Sequence, residues 1–295
     1  MSRHGYCGGI AAIDTMTALP VPVETSGHYE FLEPLLRDHE SRESFEFPAQ
    51  YMFRNVPHPQ PSDDYGAVLV SEMDRFGIEA AVLGMRLDHT EAVQASRDHP
   101  ERIWPMYHLR PHSGMDGVHE LRRAYEDLGI VGCSTFACGE HPQVAIDDRA
   151  YWPLYAECCE LGLPVFICAG TPGPRVPLWP QKVELLDNVC YMFPELTVVT
   201  RHGCMPDVDL AVQLLLKWPN LYYSTSAMAP KHYPRAIIDF ANTRGADKVI
   251  YAGYFPMGLS YDRIFEDLSN LELDDDVWPR FLRENALAVL KLDHR

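Results

Sequence analysis

The chain has 295 residues, of which 46% are apolar and 23% charged, a composition that excludes a disordered or fibrous protein and suits one large core. The 42 Asp and Glu outnumber the 25 Lys and Arg to give a net charge of −17, which leaves no electrostatic basis for binding nucleic acid and disfavours acidic membrane surfaces. No apolar run approaches the ~18 residues of a membrane span.

The start, Met1-Ser2-Arg3-His4-Gly5-Tyr6-Cys7, carries one Arg but lacks the apolar stretch of a signal peptide, so a cytoplasmic protein is expected. The first strand is expected over Gly9 to Asp14. A Pro-rich, aromatic excursion without clear period follows from Leu19 to Pro61, and such long segments usually serve a site or a lid. Strand and helix patterns then alternate. Helix Tyr65 to Phe76 leads to strand Ile78 to Leu83, helix Thr90 to His99 to strand Ile103 to His108, and helix Gly117 to Leu128 to strand Ile130 to Thr135. Helix Ala150 to Glu160 and strand Pro164 to Cys168 come next, followed by helix Val183 to Phe193 and strand Thr197 to His202. The last units are helix Asp207 to Lys217 with strand Leu221 to Ser224, and helix Pro234 to Arg244 with strand Lys248 to Tyr251. Tyr261 to Asn270 and Val277 to Leu292 read as two further helices closing over the barrel.

Eight strands in order, each followed by a helix, predict a single (β/α)8 TIM barrel spanning residues 1–295. Gly77, Gly129 and Gly162 stand where left-handed helix caps are expected. An open doubly wound sheet is the runner-up, but no GxGxxG follows the first strand. The eight cysteines match no zinc-finger spacing, and Cys158-Cys159 are adjacent in a helix, so they read as buried apolar residues rather than a disulfide framework.

Several segments carry a resemblance: Met73-Asp74-Arg75-Phe76-Gly77-Ile78, Leu163-Pro164-Val165, His202-Gly203 and Arg283-Glu284-Asn285-Ala286. They resemble the amidohydrolase-related branch of the amidohydrolase superfamily, which includes aminocarboxymuconate-semialdehyde decarboxylase, resorcylate-type decarboxylases and pyrone-dicarboxylate lactonase. The resemblance implies a divalent metal held by DxHxH after the first strand, a His after each of the fifth and sixth strands, and an Asp after the eighth. Here Asp14 is kept, but Met16 and Ala18 replace both histidines, Cys168 stands at the fifth-strand position, and Tyr254 stands at the eighth. Only His202 matches a ligand. No metal and no other cofactor is therefore expected, the alternative being a zinc site of unusual composition formed by Asp14, Cys168 and His202.

Active sites of such barrels form at the C-terminal ends of the strands, which gathers His202, Tyr254, Asp14, Cys168 and His108 as catalytic candidates. His202 reads either as a buried histidine held by hydrogen bonds or as a general acid or base. Tyr254 reads as packing or as a hydrogen-bond donor to developing charge. Asp14 braces the mouth or orients a histidine. Cys168 fills space or, beside His202, offers an activated thiolate. Arg110 is a candidate carboxylate clamp, His141 lies in a loop that could reach the mouth, and Arg201 should point away by strand alternation. Met16, Tyr51, Met52, Phe53, Trp179, Phe255 and Met257 would line a site for a hydrophobic or aromatic substrate.

The leading expectation is a metal-independent hydrolase of a small organic acid, lactone or ester, with His202 as acid/base and Tyr254 as donor. A cofactor-free decarboxylase of an aromatic or unsaturated acid is the alternative, and a non-catalytic ligand- or partner-binding barrel the third. The expected partner is a small molecule, with no nucleic acid and no membrane, and the resemblance suggests a homodimer.

Overall fold

The computed structural model describes residues 3–6, 8–22, 29–43, 45 and 47–292, so the N-terminal reading at Met1, Ser2 and Cys7 lies outside the described residues. The alternating pattern folds into eight parallel strands: β1 Ala12–Thr17, β2 Ile78–Met85, β3 Ile103–His108, β4 Gly132–Thr135, β5 Val165–Cys168, β6 Val198–Arg201, β7 Leu221–Ser224 and β8 Val249–Ile250. They pair in chain order. The circle closes where Thr17 bridges Phe255, with Tyr254 N–H donating to the Met16 carbonyl at 3.0 Å and Ala18 N–H to the Phe255 carbonyl at 2.9 Å. This is a TIM barrel.

β1 starts at Ala12 instead of Gly9 because Gly8 and Gly9 both take φ of +86°, outside the extended region. The expected caps are present, since Gly129 and Gly162 end helices Gly114–Leu128 and Trp152–Leu161 in the left-handed conformation. Within the long excursion the structure has a 3-10 segment at Glu30–Leu35 and a short helix at His39–Glu43. A two-residue antiparallel pair, Arg3–His4 with Leu273–Asp274, lies apart from the barrel. All seven described cysteines are free. Among the described residues no helix is long and apolar enough to cross a membrane.

The final helix is broken where one was expected. Arg280–Glu284 widens to a π turn before Asn285–Leu290, because the Phe281 carbonyl accepts from Tyr251 N–H at 2.9 Å and is drawn out of the helical ladder. Ala286, Leu287, Val289 and Leu290 then join one buried cluster with Ile13, Ala80, Val82, Trp104, Met106, Phe166, Val199 and Ile250. These strand residues sit toward the N-terminal ends of their strands, so the helix floors the barrel at the end opposite the mouth. The terminal Arg-Glu-Asn-Ala segment fastens it. Arg283 grips Glu79 with two hydrogen bonds of 2.6 and 3.0 Å, and Asn285 Nδ2 donates to the Ala246 and Val249 carbonyls. Both partners of the ion pair are about one-third exposed, so Arg283→Ala should cost only about 1 kcal/mol in a denaturant melt. Ligand binding at the far end should be unchanged.

Candidate active site

Residues two apart on a strand share a face. Phe166 and Val199 lie in the barrel interior, so Cys168 and Arg201, paired across β5 and β6, face inward at the mouth. Arg201 is 7% exposed. Its Nε donates to Cys168 Sγ at 3.3 Å and its Nη1 to Met16 Sδ at 3.6 Å. No carboxylate among the described residues pairs with it. The expectation that Arg201 points away is corrected: β6 ends at Arg201, and the chain leaves the strand at His202 with φ of +70°, so alternation stops there and both side chains reach the mouth.

His202 turns its ring edge toward Tyr254, with centroids 5.7 Å apart. The Ser226 hydroxyl accepts from His202 N–H at 3.2 Å and lies 3.2 Å from Nδ1, leaving its own proton to donate to Nδ1 and the ring proton on Nε2. Burial, with the Arg201 charge second, holds the imidazole well below its ordinary value of 6.5, so His202 is neutral and not a cationic acid. Tyr254 stacks on Phe53 at 5.9 Å. Burial pushes its phenol up to about 12, the nearby Cys168 adding to this and Arg201 opposing it, so it keeps its proton.

His202, Cys204, Ala227 and Tyr254 all adopt positive φ, between 57° and 70°. Each costs about 1 kcal/mol for a residue with a Cβ. All four follow β6, β7 or β8 at the mouth, where the barrel bends its backbone to aim side chains.

Asp14 lies with other groups. Its Oδ1 accepts from Met16 N–H at 3.0 Å and Gly253 N–H at 2.8 Å, and its Oδ2 accepts from the Tyr261 hydroxyl at 3.0 Å. A Cβ on Gly253 would sit 2.4 Å from Oδ2, so only glycine allows this approach. Burial raises the Asp14 carboxyl to about 7 against the pull of the three hydrogen bonds. Asp14 therefore ties β1 to the segment after β8 and to helix Tyr261–Leu268, and the partner of His202 is Ser226 instead. The Cys168 thiol is pushed up by burial and partly restrained by Arg201. Its hydrogen-bond partner is Arg201, so the thiolate and imidazole pair weighed from sequence is not formed.

His108 closes β3 with Nδ1 3.3 Å from Ser134 Oγ. Facing it is Glu140, whose carboxyl oxygens lie 3.9 Å from His108 Nε2 and 3.9 Å from His112 Nε2. Burial raises Glu140 to about 7, opposed by His112, Arg110 and Arg86. His141, the residue favoured from sequence, is exposed, and the loop turns its neighbour inward. Arg110 is half-exposed and paired with Glu120 at 3.2 Å, an ordinary surface engagement.

Phe255 stacks on Tyr261 with centroids 4.4 Å apart and packs instead of lining a site. Tyr51, 49% exposed, lies under the Arg175 guanidinium, and Trp179 is 46% exposed. Met257 does line a cavity. It encloses about 530 Å³ beside the mouth, walled by Ala18, Leu19, Tyr29, Phe31, Gly84 and Pro256, with Arg86 and His89 on one rim. Arg201, His202 and Tyr254 are not in its wall. The cavity adjoins them through the chain, since Ala18 lies two residues beyond Met16 and Met257 three beyond Tyr254.

The positions that hold a metal in the resembled branch do not fit one here. Met16, Ala18 and Tyr254 offer no good donor, the Cys168 thiol is engaged by a guanidinium, and among the described residues no three His, Cys, Asp or Glu side chains gather as metal ligands would. A fixed cation already stands among them. Sequence reasoning missed Arg201 and Glu140. Inward Val199 two residues earlier signalled the first, whereas Glu140 carried no signal beyond lying in a mouth loop.

The sequence profile of the amidohydrolase family matches residues 13–292. No curated protein matches the chain in sequence. Among solved structures, an uncharacterised TIM-barrel protein from Bordetella bronchiseptica is 22% identical, with a TM-score of 0.75 over 97% of this chain and 100% of that one. The 5-carboxyvanillate decarboxylase from Novosphingobium aromaticivorans, complexed with manganese and 4-hydroxy-3-methoxy-5-nitrobenzoic acid, is 16% identical, with a TM-score of 0.65 over 96% of this chain and 97% of that one. The 2,6-dihydroxybenzoate decarboxylase from Rhizobium is 16% identical, with a TM-score of 0.65 over 97% of this chain and 99% of that one. At these identities the likeness is one of fold.

Proposed function

The chain belongs to the amidohydrolase family, and from that premise we propose that it is a metal-independent lyase removing carbon dioxide from a small aromatic carboxylate. The observation that carries this reading is Arg201: a nearly buried guanidinium whose hydrogen bonds, among the described residues, go only to two sulfur atoms. Burying an unpaired cation is costly, and an anionic ligand repays that cost by forking onto the guanidinium.

In this reading Arg201 holds the oxygens of the acid and of an adjacent phenolic group. As the carbon–carbon bond breaks, its electron pair passes from the carboxylate into the ring and toward the phenolic oxygen, to which the Tyr254 phenol, which remains protonated, donates a hydrogen bond. Phe53 and Met257 supply apolar contact. Decarboxylases among the structural neighbours support this lyase over the hydrolase expected from sequence. Hydrolysis also requires a base to activate water, and the eighth-strand carboxylate that could serve is replaced by Tyr254.

The test is incubation of chelator-treated protein with 2,6-dihydroxybenzoate, following carbon dioxide and resorcinol. We expect both products in equal amounts, and Tyr254→Phe, which keeps the stack on Phe53, should lower kcat roughly 100-fold. Binding without turnover would instead favour a non-catalytic barrel, and hydrolysis of lactone or ester probes without carbon dioxide release would favour the hydrolase.

A further inference from the structure

Decarboxylation must deliver a proton to the ring carbon that loses carbon dioxide, and the identity of that proton's donor rests on the lyase reading. Four titratable groups at the mouth are poor donors. His202 is neutral, Tyr254 holds its proton too tightly, Cys168 is raised by burial and engaged with Arg201, and the Asp14 carboxyl is consumed by three hydrogen bonds to β1, Gly253 and Tyr261.

Glu140 differs from all four. Its side chain is 17% exposed, yet its carboxyl makes no hydrogen bond among the described residues, and its two oxygens are aimed one each at His108 Nε2 and His112 Nε2 across gaps of 3.9 Å. Those gaps are too long for direct hydrogen bonds. A largely buried carboxyl left without hydrogen bonds destabilises the fold and calls for an explanation in function. It also lies at the same end of the barrel as Arg201: it faces His108, which closes β3 beside Ser134 of β4, and Arg201 closes β6 at that same C-terminal end.

We propose that Glu140 is the proton donor of this mouth, taking over from the fourth-strand loop the task for which Tyr254 offers no carboxyl at the end of the eighth. The Glu140 acid transfers its proton to the ring carbon bearing the carboxylate, which accepts it with a π electron pair of the ring that the neighbouring phenolic oxygen enriches. The carbon–carbon bond then breaks, its electron pair restores the aromatic ring, and carbon dioxide leaves. The Glu140 carboxylate regains a proton from water through His108, since His112 Nε2 donates to the Pro142 carbonyl at 2.8 Å. The groups facing it are His108 at the end of β3, His112 and Arg110 in the loop after β3, Arg86 in the loop after β2, and Tyr151 ahead of helix Trp152–Leu161. Burial outweighs the pull of His112, Arg110 and Arg86 and leaves Glu140 titrating at about 7, so it holds its proton below neutrality, and kcat/KM should fall about tenfold per pH unit above that value.

The experiment has two arms in one set of proteins: wild type, Glu140→Gln and Glu140→Asp, each checked for an unchanged thermal midpoint. One arm follows carbon dioxide release from 2,6-dihydroxybenzoate. The other follows deuterium exchange at carbon 2 of resorcinol in D2O by NMR, which reports proton transfer to carbon without any decarboxylation. Glu140→Gln should lose at least ~100-fold in both arms while binding 2,6-dihydroxybenzoate within about 3-fold of wild type, and Glu140→Asp should recover part of both. Exchange that depends on Glu140 in a protein that releases no carbon dioxide would uphold the proton donor and sink the lyase reading. Exchange absent from wild type, or Glu140→Gln retaining wild-type rates in either arm, would overturn the proposal.

Discussion

Arg201→Met is expected to melt several degrees higher than wild type in the absence of ligand and to lose binding of 2,6-dihydroxybenzoate by at least ~100-fold. Arg201 is 7% exposed and pairs with no carboxylate among the described residues. Replacing buried charged groups by apolar side chains of similar volume is neutral to stabilising by about 1–4 kcal/mol, and each kcal/mol moves the midpoint of a chain of this size by roughly 2–4 °C. Met also fits the sulfur-lined surroundings of Met16 and Cys168. The sign separates function from structure. A guanidinium kept to receive an anion makes the unliganded protein less stable than its apolar variant, while a guanidinium kept to hold the mouth together makes Arg201→Met melt lower. Differential scanning calorimetry with and without the acid reads both effects, because a ligand that binds only the folded chain raises its midpoint.

The second large effect concerns Asp14. Asp14→Ala should lower stability by roughly 3–5 kcal/mol, since it strands the buried donors of Met16, Gly253 and Tyr261 together. Asp14→Asn should cost far less. Its amide oxygen can accept from both backbone N–H groups, and its NH2 can donate to the Tyr261 oxygen. The pair also exposes the pH dependence. The Asp14 carboxyl titrates at about 7 when folded against 3.8 ordinarily, so between those values the folded chain keeps a proton that the unfolded chain has released. Stability from this group therefore falls as pH rises from about 4 to 7, by ~4 kcal/mol over the window. Glu140, raised in the same direction, adds to the fall. His202, depressed below 6.5, acts oppositely, because there the unfolded chain binds the extra proton. Urea melts of wild type and Asp14→Asn at pH 5 and pH 7.5 isolate the Asp14 part: the variant should lose less stability between the two, and equal losses would contradict the assignment.

The barrel was legible because its signals are local. Apolar runs of four to eight residues alternate with helical periods, and Gly129 and Gly162 mark helix ends by their own conformational freedom. The departures from the resembled ligand pattern, Met16, Ala18, Cys168 and Tyr254, are likewise read one position at a time. How the side chains at the mouth meet one another was harder to see. The direction of Arg201 depends on where β6 stops, and a boundary shift of a single residue reverses a side chain. Sequence reading extended that strand to His202. Asp14 reads either as a brace of the mouth or as the orienting partner of a histidine until Tyr261, 247 residues away, is brought against it. Glu140 acquires its character from burial, against the opposing pull of His112, Arg110 and Arg86, and neither the burial nor those neighbours can be read from its own loop. The Phe255 ring, assigned to the substrate, is claimed by Tyr261 for the same reason.

The most direct measurement is a calorimetric titration of chelator-treated protein with 2,6-dihydroxybenzoate, repeated with added manganese and with Arg201→Met. A guanidinium standing in the metal's place predicts one binding site per chain, an affinity that manganese does not change, and loss of the heat signal in the variant. Binding that appears only when manganese is present, or that persists undiminished in Arg201→Met, would contradict it.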